Sequence, residues 1–134
     1  MMNTMTRATN KAIVRRGEVW MADMGSVVGS EQGGLRPVVV VQNNIGNKYS
    51  PTTIVAPATT KAKKNMKTHV EFDTTESGLP MKSTFLLEQL TTIDKTRFMY
   101  KVGYVNMDAI DEAIGVSLGL MFPMFRPNTA NTYA

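Results

Sequence analysis

Cysteine is missing from all 134 residues, which excludes a disulfide framework and any thiolate-ligated metal. A cysteine-free chain suits a reducing compartment, and the expected location is the cytoplasm. Histidine occurs once, at His69. A serine–histidine–aspartate triad would depend on that residue, and no nucleophile-elbow sequence is present to serve it. No acidic pair stands at the spacing of an EF-hand or a zincin, so neither a metal nor a cofactor is expected. Gly29 to Gly34 lacks the lysine and following helix of a nucleotide-binding P-loop. No apolar run approaches the length of a membrane span. The first thirteen residues, Met1 to Ile13, hold no signal-peptide core.

What is present is an ordinary globular composition, 43% hydrophobic and 19% charged, in a length that suits one domain. The formal net charge is +4, with Arg7, Lys11 and Arg126 lying in the two terminal segments and the body nearly balanced. One basic cluster stands out, Lys61, Lys63, Lys64 and Lys67. Such a cluster is first a solvated loop and second a phosphate-attracting patch.

Taken in order, residues 1–13 read as a polar flexible extension, 14–120 as the folded domain and 121–134 as an irregular tail. Arg16 to Asp23 alternates as a strand, with Val19 and Met21 on one face and Glu18, Trp20 and Ala22 on the other. Trp20, the only tryptophan, is expected to pack rather than to stack on a base. Val38 to Val41 reads as a strand buried on both faces. Asn43–Asn44 and Gly46–Asn47 carry turn chemistry. Thr52 to Thr59 is a β-branched strand whose Pro57 suits an edge or a bulge. Thr68 to Asp73 alternates again, and Ser77–Gly78–Leu79–Pro80 interrupts it. Ser83 to Leu90 is expected as one strand, Asp94 to Arg97 as a single helical turn, and Met99 to Val105 as a sixth strand. Asn106 is a helix cap, and Ile110, Ala113, Ile114 and Leu118 recur at helical spacing, which predicts an amphipathic helix over 107–119. Six short strands and one terminal helix point to a mainly β, small antiparallel barrel.

The stretch Gly29-Ser30-Glu31-Gln32-Gly33-Gly34-Leu35-Arg36-Pro37 leads into the valine strand. A polar, glycine-rich loop there ends on one arginine that Pro37 holds extended. That arrangement suits an anion. The plainer reading of Arg36 is an ion pair with Glu31 or Glu88. His69, within an alternating strand, is read as a hydrogen-bonded structural residue. What remains open is chemistry without a protein nucleophile. RNA supplies such a reaction, since its 2′-hydroxyl can attack the adjacent phosphorus while the protein aligns the attack and stabilises charge.

The chain resembles the MazF/PemK toxins of bacterial toxin–antitoxin pairs. The likeness rests on Arg16-Gly17-Glu18-Val19-Trp20, on residues 28–37, and on Gln42-Asn43-Asn44-Ile45-Gly46-Asn47. It continues through Ser50-Pro51-Thr52, Thr68-His69-Val70-Glu71, Leu86-Leu87-Glu88-Gln89-Leu90 and Thr92-Ile93-Asp94-Lys95. The resemblance implies an SH3-like barrel of the CcdB/PemK kind, a homodimer, and a sequence-specific endoribonuclease. It implies cleavage of single-stranded mRNA without metal or ribosome, by 2′-hydroxyl attack that leaves a 2′,3′-cyclic phosphate and a 5′-hydroxyl. It also implies a cognate MazE-like antitoxin, and operator DNA as a ligand of the toxin–antitoxin complex only.

The family's catalytic arginine falls on Arg36. Its catalytic threonine falls on Thr59, with Thr60 the alternative if the alignment slips by one residue. Ser30, Glu31, Gln32, Gly33 and Gly34 fall on the RNA-contacting loop, Lys61, Lys63 and Lys64 on the basic loop, and Gln89 on a site-lining position. Two rival readings stand beside this one. The first is a CcdB-like gyrase poison, which the chain's end at Asn131-Thr132-Tyr133-Ala134 does not fit. The second is a barrel that binds nucleic acid without cleaving it.

Overall fold

A computed structural model describes residues 12–26, 29, 33–61 and 66–121. Among the described residues, seven strands and three helices follow in order: β1 (Glu18–Asp23), β2 (Leu35–Val40), α1 (Asn44–Tyr49), β3 (Thr52–Thr59), β4 (His69–Phe72), α2 (Thr74–Ser77), β5 (Ser83–Leu86), β6 (Thr91–Asp94), β7 (Phe98–Tyr104) and α3 (Asp108–Met121). Short 3-10 turns at Leu87–Gln89 and Lys95–Arg97 flank β6. Every strand pairing is antiparallel. The sheet order is β4-β5-β3-β2-β1-β7, with β6 also on β3. The end strands β4 and β7 are not paired, so the expected barrel is an open one. Backbone packing bridges the opening: Gly103 of β7 lies so close to α2 that a Cβ there would meet Ser77 O at 2.7 Å.

Period-2 alternation sorts the strands onto two cores. Val19, Val39, Ala56, Ala58 and Phe85 face one of them, which Ile110 and Ala113 of α3 cover. Ala22, Val38, Val40 and Val55 face the other with Ile93 and Phe98. The valine strand is therefore buried on both sides, as its composition predicts. Trp20 packs edge-on to Phe98 at 5.3 Å, and its Nε1 donates to Glu18 Oε1 at 3.1 Å. Asn106 Oδ1 accepts from Asp108 N–H at 2.8 Å, and the terminal helix follows as expected.

Three expectations change. Asn43–Asn47 is not a simple turn, because Asn43 caps α1 by accepting from Gly46 N–H. The buried Asn47 side chain then ties that helix down. Its Nδ2 donates to Gln42 O at 2.8 Å, while its Oδ1 accepts from Thr53 Oγ1 at 2.7 Å and Gln42 Nε2 at 3.1 Å. The buried Lys95 ammonium donates to Asn47 O.

The stretch Ser83–Leu90 is not one strand either. It breaks at the 3-10 turn into β5 and β6, which pair in succession along one side of β3. Strand β3 carries Pro57 at this changeover. Val41 N–H donates to Ile54 O, so by alternation the ladder bonds between β2 and β3 fall at 54, 56 and 58 on β3. Pro57 thus turns its donorless nitrogen toward the β5/β6 side, where the ladder is interrupted anyway. Among the described residues the strands number seven rather than six. A further short helix, α2, stands just before the interruption that Ser77–Gly78–Leu79–Pro80 marks. Its capping box joins Asp73 and Glu76, and Gly78 ends it.

Candidate functional site

The site forms where β2 and β3 separate. Their in-register pairs run Val40 with Val55, Val39 with Ala56 and Val38 with Pro57, and stop there. The next ladder bond would run from the N–H of residue 37 to Ala58 O, but Pro37 has no N–H. Arg36 fills that vacancy, its Nη1 donating to Ala58 O at 2.9 Å. Its Nε donates to Gly33 O at 3.2 Å. A guanidinium has five N–H groups. Among the described residues two are used, both on backbone carbonyls, which leaves one on Nη1 and two on Nη2 for an anion. Among the described residues, the half-buried cation is thereby aimed and fixed by main-chain carbonyls and not by a carboxylate.

Glu88 does not take the ion-pair role. Its Oε2 lies 3.1 Å from His69 Nε2, and among the described residues no carboxylate pairs with Arg36. His69 is thus the hydrogen-bonded residue that its strand context suggests.

Carrying the β2–β3 register two residues past Val38 and Pro57 sets Arg36 opposite Thr59, on the same face. Thr59 is the last residue of β3 and only 4% exposed. Its Oγ1 accepts from Lys61 N–H at 3.2 Å, which leaves the hydroxyl proton available to a neighbouring oxygen. Thr60 lies beyond the strand and is exposed. The register favours Thr59 as the hydroxyl beside Arg36.

The loop stem is built by Gly34, at φ +73°, a left-handed conformation that favours glycine. Its N–H donates to Gly25 O at 2.9 Å, and its carbonyl accepts from Met24 N–H at 2.9 Å. Gly33 and Gly34 therefore lie at the site, and Gly33 touches it through its carbonyl. Ser30, Glu31, Gln32, Lys63 and Lys64 lie outside the described residues. Lys61 is exposed beside Thr59. Gln89 sits half-buried in the 3-10 turn, next to the Glu88 that meets His69.

Pattern reading misses two residues on this face. Thr59 pairs with Thr84 of β5, and Thr84 pairs with Glu71 of β4. Directly paired residues share a face, so Arg36, Thr59, Thr84 and Glu71 form one polar row across four strands. Only the strand order reveals it, since Thr84 and Glu71 otherwise look like ordinary outward positions.

A fixed guanidinium beside a hydroxyl, reached over a glycine-rich loop, is equipped to bind a phosphodiester and to stabilise added charge on its oxygens. Comparison with known proteins agrees in family. Residues 15–118 match the model of the PemK-like, MazF-like toxin of type II toxin–antitoxin systems. The chain is 50% identical over 113 residues to "Endoribonuclease EndoA" of Bacillus subtilis, covering 81% of this chain and 97% of that protein. It is 48% identical over 112 residues to "Endoribonuclease MazF" of Staphylococcus saprophyticus, covering 81% and 93%. In fold it is similar to MazF from Deinococcus radiodurans, with TM-score 0.68 at 22% identity over 84% of this chain and 99% of that one. A mycobacterial endoribonuclease solved in complex with its cognate antitoxin gives TM-score 0.67 at 24% identity, over 80% and 96%. The chain belongs to the PemK-like, MazF-like toxin family of type II toxin–antitoxin systems.

Proposed function

We propose that this chain is the endoribonuclease toxin of its pair, that it cleaves single-stranded mRNA at specific sequences without a metal, and that Arg36 and Thr59 carry the chemistry. The observation that carries the reading is the Arg36 guanidinium, held by Gly33 and Ala58 carbonyls in the register position facing Thr59. The identity to two proteins named as endoribonucleases supports the reaction class.

In this mechanism the ribose 2′-oxygen attacks the neighbouring phosphorus and loses its proton, and the bond from phosphorus to the 5′-oxygen breaks. That oxygen leaves protonated as a 5′-hydroxyl, and the phosphorus remains as a 2′,3′-cyclic phosphate. The free N–H groups on Nη1 and Nη2 of Arg36 donate in parallel to the non-bridging oxygens, where negative charge grows in the transition state. The Thr59 hydroxyl donates to the same oxygens. Arg36 acts as a cation and donor rather than a proton carrier, since a guanidinium stays protonated at neutral pH.

The toxin works as a homodimer, and a MazE-like antitoxin restrains it by covering the RNA groove. Support for an antitoxin comes from the family and from the relative solved with its cognate antitoxin. Incubating the purified protein with a long unstructured RNA in EDTA tests the proposal. Discrete fragments with 2′,3′-cyclic phosphate and 5′-hydroxyl ends are expected. Intact RNA, or fragments with 5′-phosphate ends, would refute it.

A further inference from the structure

The polar row on the Arg36 face runs farther than one scissile phosphate needs. Thr84 of β5 stands opposite Thr59, and Glu71 of β4 stands opposite Thr84. Strand spacings of about 4.8 Å put Thr84 about 10 Å from Arg36 along the row, and Glu71 about 14 Å. The row thus passes from a cation through two hydroxyls to a carboxylate. Its exposure rises on the way, from the buried Thr59 through the half-buried Thr84 to the exposed Glu71.

Alternation holds the two threonines in place. With the β2 ladder bonds at 54, 56 and 58, Thr59 turns its N–H and carbonyl toward β5, so it and Thr84 are a main-chain hydrogen-bonded pair. Their side chains then stand side by side, with Cβ atoms about 5 Å apart. Among the described residues no hydrogen bond engages the Thr84 hydroxyl. We infer that Thr84 is a second backbone contact for the RNA, its hydroxyl donating to the phosphodiester next to the scissile one, and that Glu71 ends the track. The inference rests on the nuclease reading and extends it to the path of the strand.

A phosphodiester seated between Arg36 and Thr59 leaves Thr84 one strand farther on, beside the adjoining nucleotide. A hydroxyl on a rotatable bond donates to whichever phosphate oxygen comes near. Such contacts fix the register of a nucleic-acid backbone and carry no sequence information. Glu71 sets the limit, because a carboxylate repels a phosphate. Its charged neighbour Lys82, at 3.9 Å with both side chains largely exposed, offsets that repulsion only weakly. The RNA backbone therefore crosses β2, β3 and β5 and leaves the sheet before β4.

Binding of a short single-stranded RNA to the full-length protein tests this. The RNA carries one site that the parent cuts, with a deoxyribose at the cut so that it binds intact, and fluorescence anisotropy reads Kd. Thr84→Val, which keeps the shape and loses the hydroxyl, should weaken binding about tenfold with the thermal midpoint unchanged. Thr84→Ser should restore it. Methylphosphonates placed in turn at the phosphodiesters on either side of the cut should weaken binding to the parent at one position, and add nothing there in Thr84→Val. Glu71→Lys should steepen the slope of log affinity against log salt by about 0.7. Parent-like binding by Thr84→Val, a Thr84→Ser protein as weak as Thr84→Val, or equal methylphosphonate penalties in parent and Thr84→Val would overturn the contact. An unchanged salt slope in Glu71→Lys would overturn the track. A parent that cuts no RNA would overturn the nuclease reading itself, so the two failures are distinguishable.

Discussion

Two parts of this molecule hold polar side chains out of bulk water, and they do so to opposite ends. Around α1, Asn47 spends its amide on the fold, with both of its atoms occupied by Gln42, Asn44 and Thr53. At the end of β2, two of the five donors of Arg36 are engaged among the described residues, both by backbone carbonyls. The first arrangement is closed and has nothing left for a ligand. The second is anchored yet unfinished, and a phosphate's oxygens would complete it. Burial of a polar group marks a functional site only where its hydrogen-bonding capacity is left over.

The contrast predicts that the two regions fail differently. Asn47→Ala leaves the Gln42 carbonyl and the Thr53 hydroxyl unpaired in a buried place, and should lower stability by about 3 kcal/mol. Chemical denaturation checks this, and the cleavage rate per folded molecule should stay near that of the parent. Pro37→Ala should do the reverse. It restores the N–H that competes with Arg36 for Ala58 O, so stability should hold while the cleavage rate drops roughly tenfold, measured at saturating RNA. A Pro37→Ala protein that is fully active would show that the missing ladder bond does not position the guanidinium.

The smallest effect lies outside both regions. The Thr75 hydroxyl, followed by the Glu76 N–H, holds the Asp73 carboxyl below its ordinary value of 3.8. A carboxyl lowered on folding stabilises the fold above its unfolded pKa, and that contribution is lost as the pH falls through the lowered folded value. Amide exchange in α2 should therefore accelerate at a pH below 3.8, with the sheet amides still protected.

Most of the sheet was legible in the sequence because its two cores follow alternation. β1, β3 and the flanks of β2 need no information beyond which side chains are apolar. The helix at Asn44–Tyr49 was not legible, because Asn-Ile-Gly-Asn has turn propensity. The Asn43 cap and Thr53 act from nearby, but the Lys95 ammonium that closes on Asn47 O comes from 48 residues away. The break between β5 and β6 was hidden for a similar reason. Leu86 and Leu87 are both buried and give no turn signal, and the break answers to Pro57 on another strand. At the site, Arg36 was visible through its glycine-rich approach, and Thr59 only through family likeness. That Pro37 frees the carbonyl holding Arg36 depends on which way each ladder bond points, which one-dimensional patterns do not contain.

Arg36→Lys tests the central claim most directly, since it keeps the positive charge and removes the parallel N–H donors. Single-turnover cleavage of one RNA site should slow by about 10²-fold or more, with the thermal midpoint unchanged. Cleavage at the parent's rate would contradict the account.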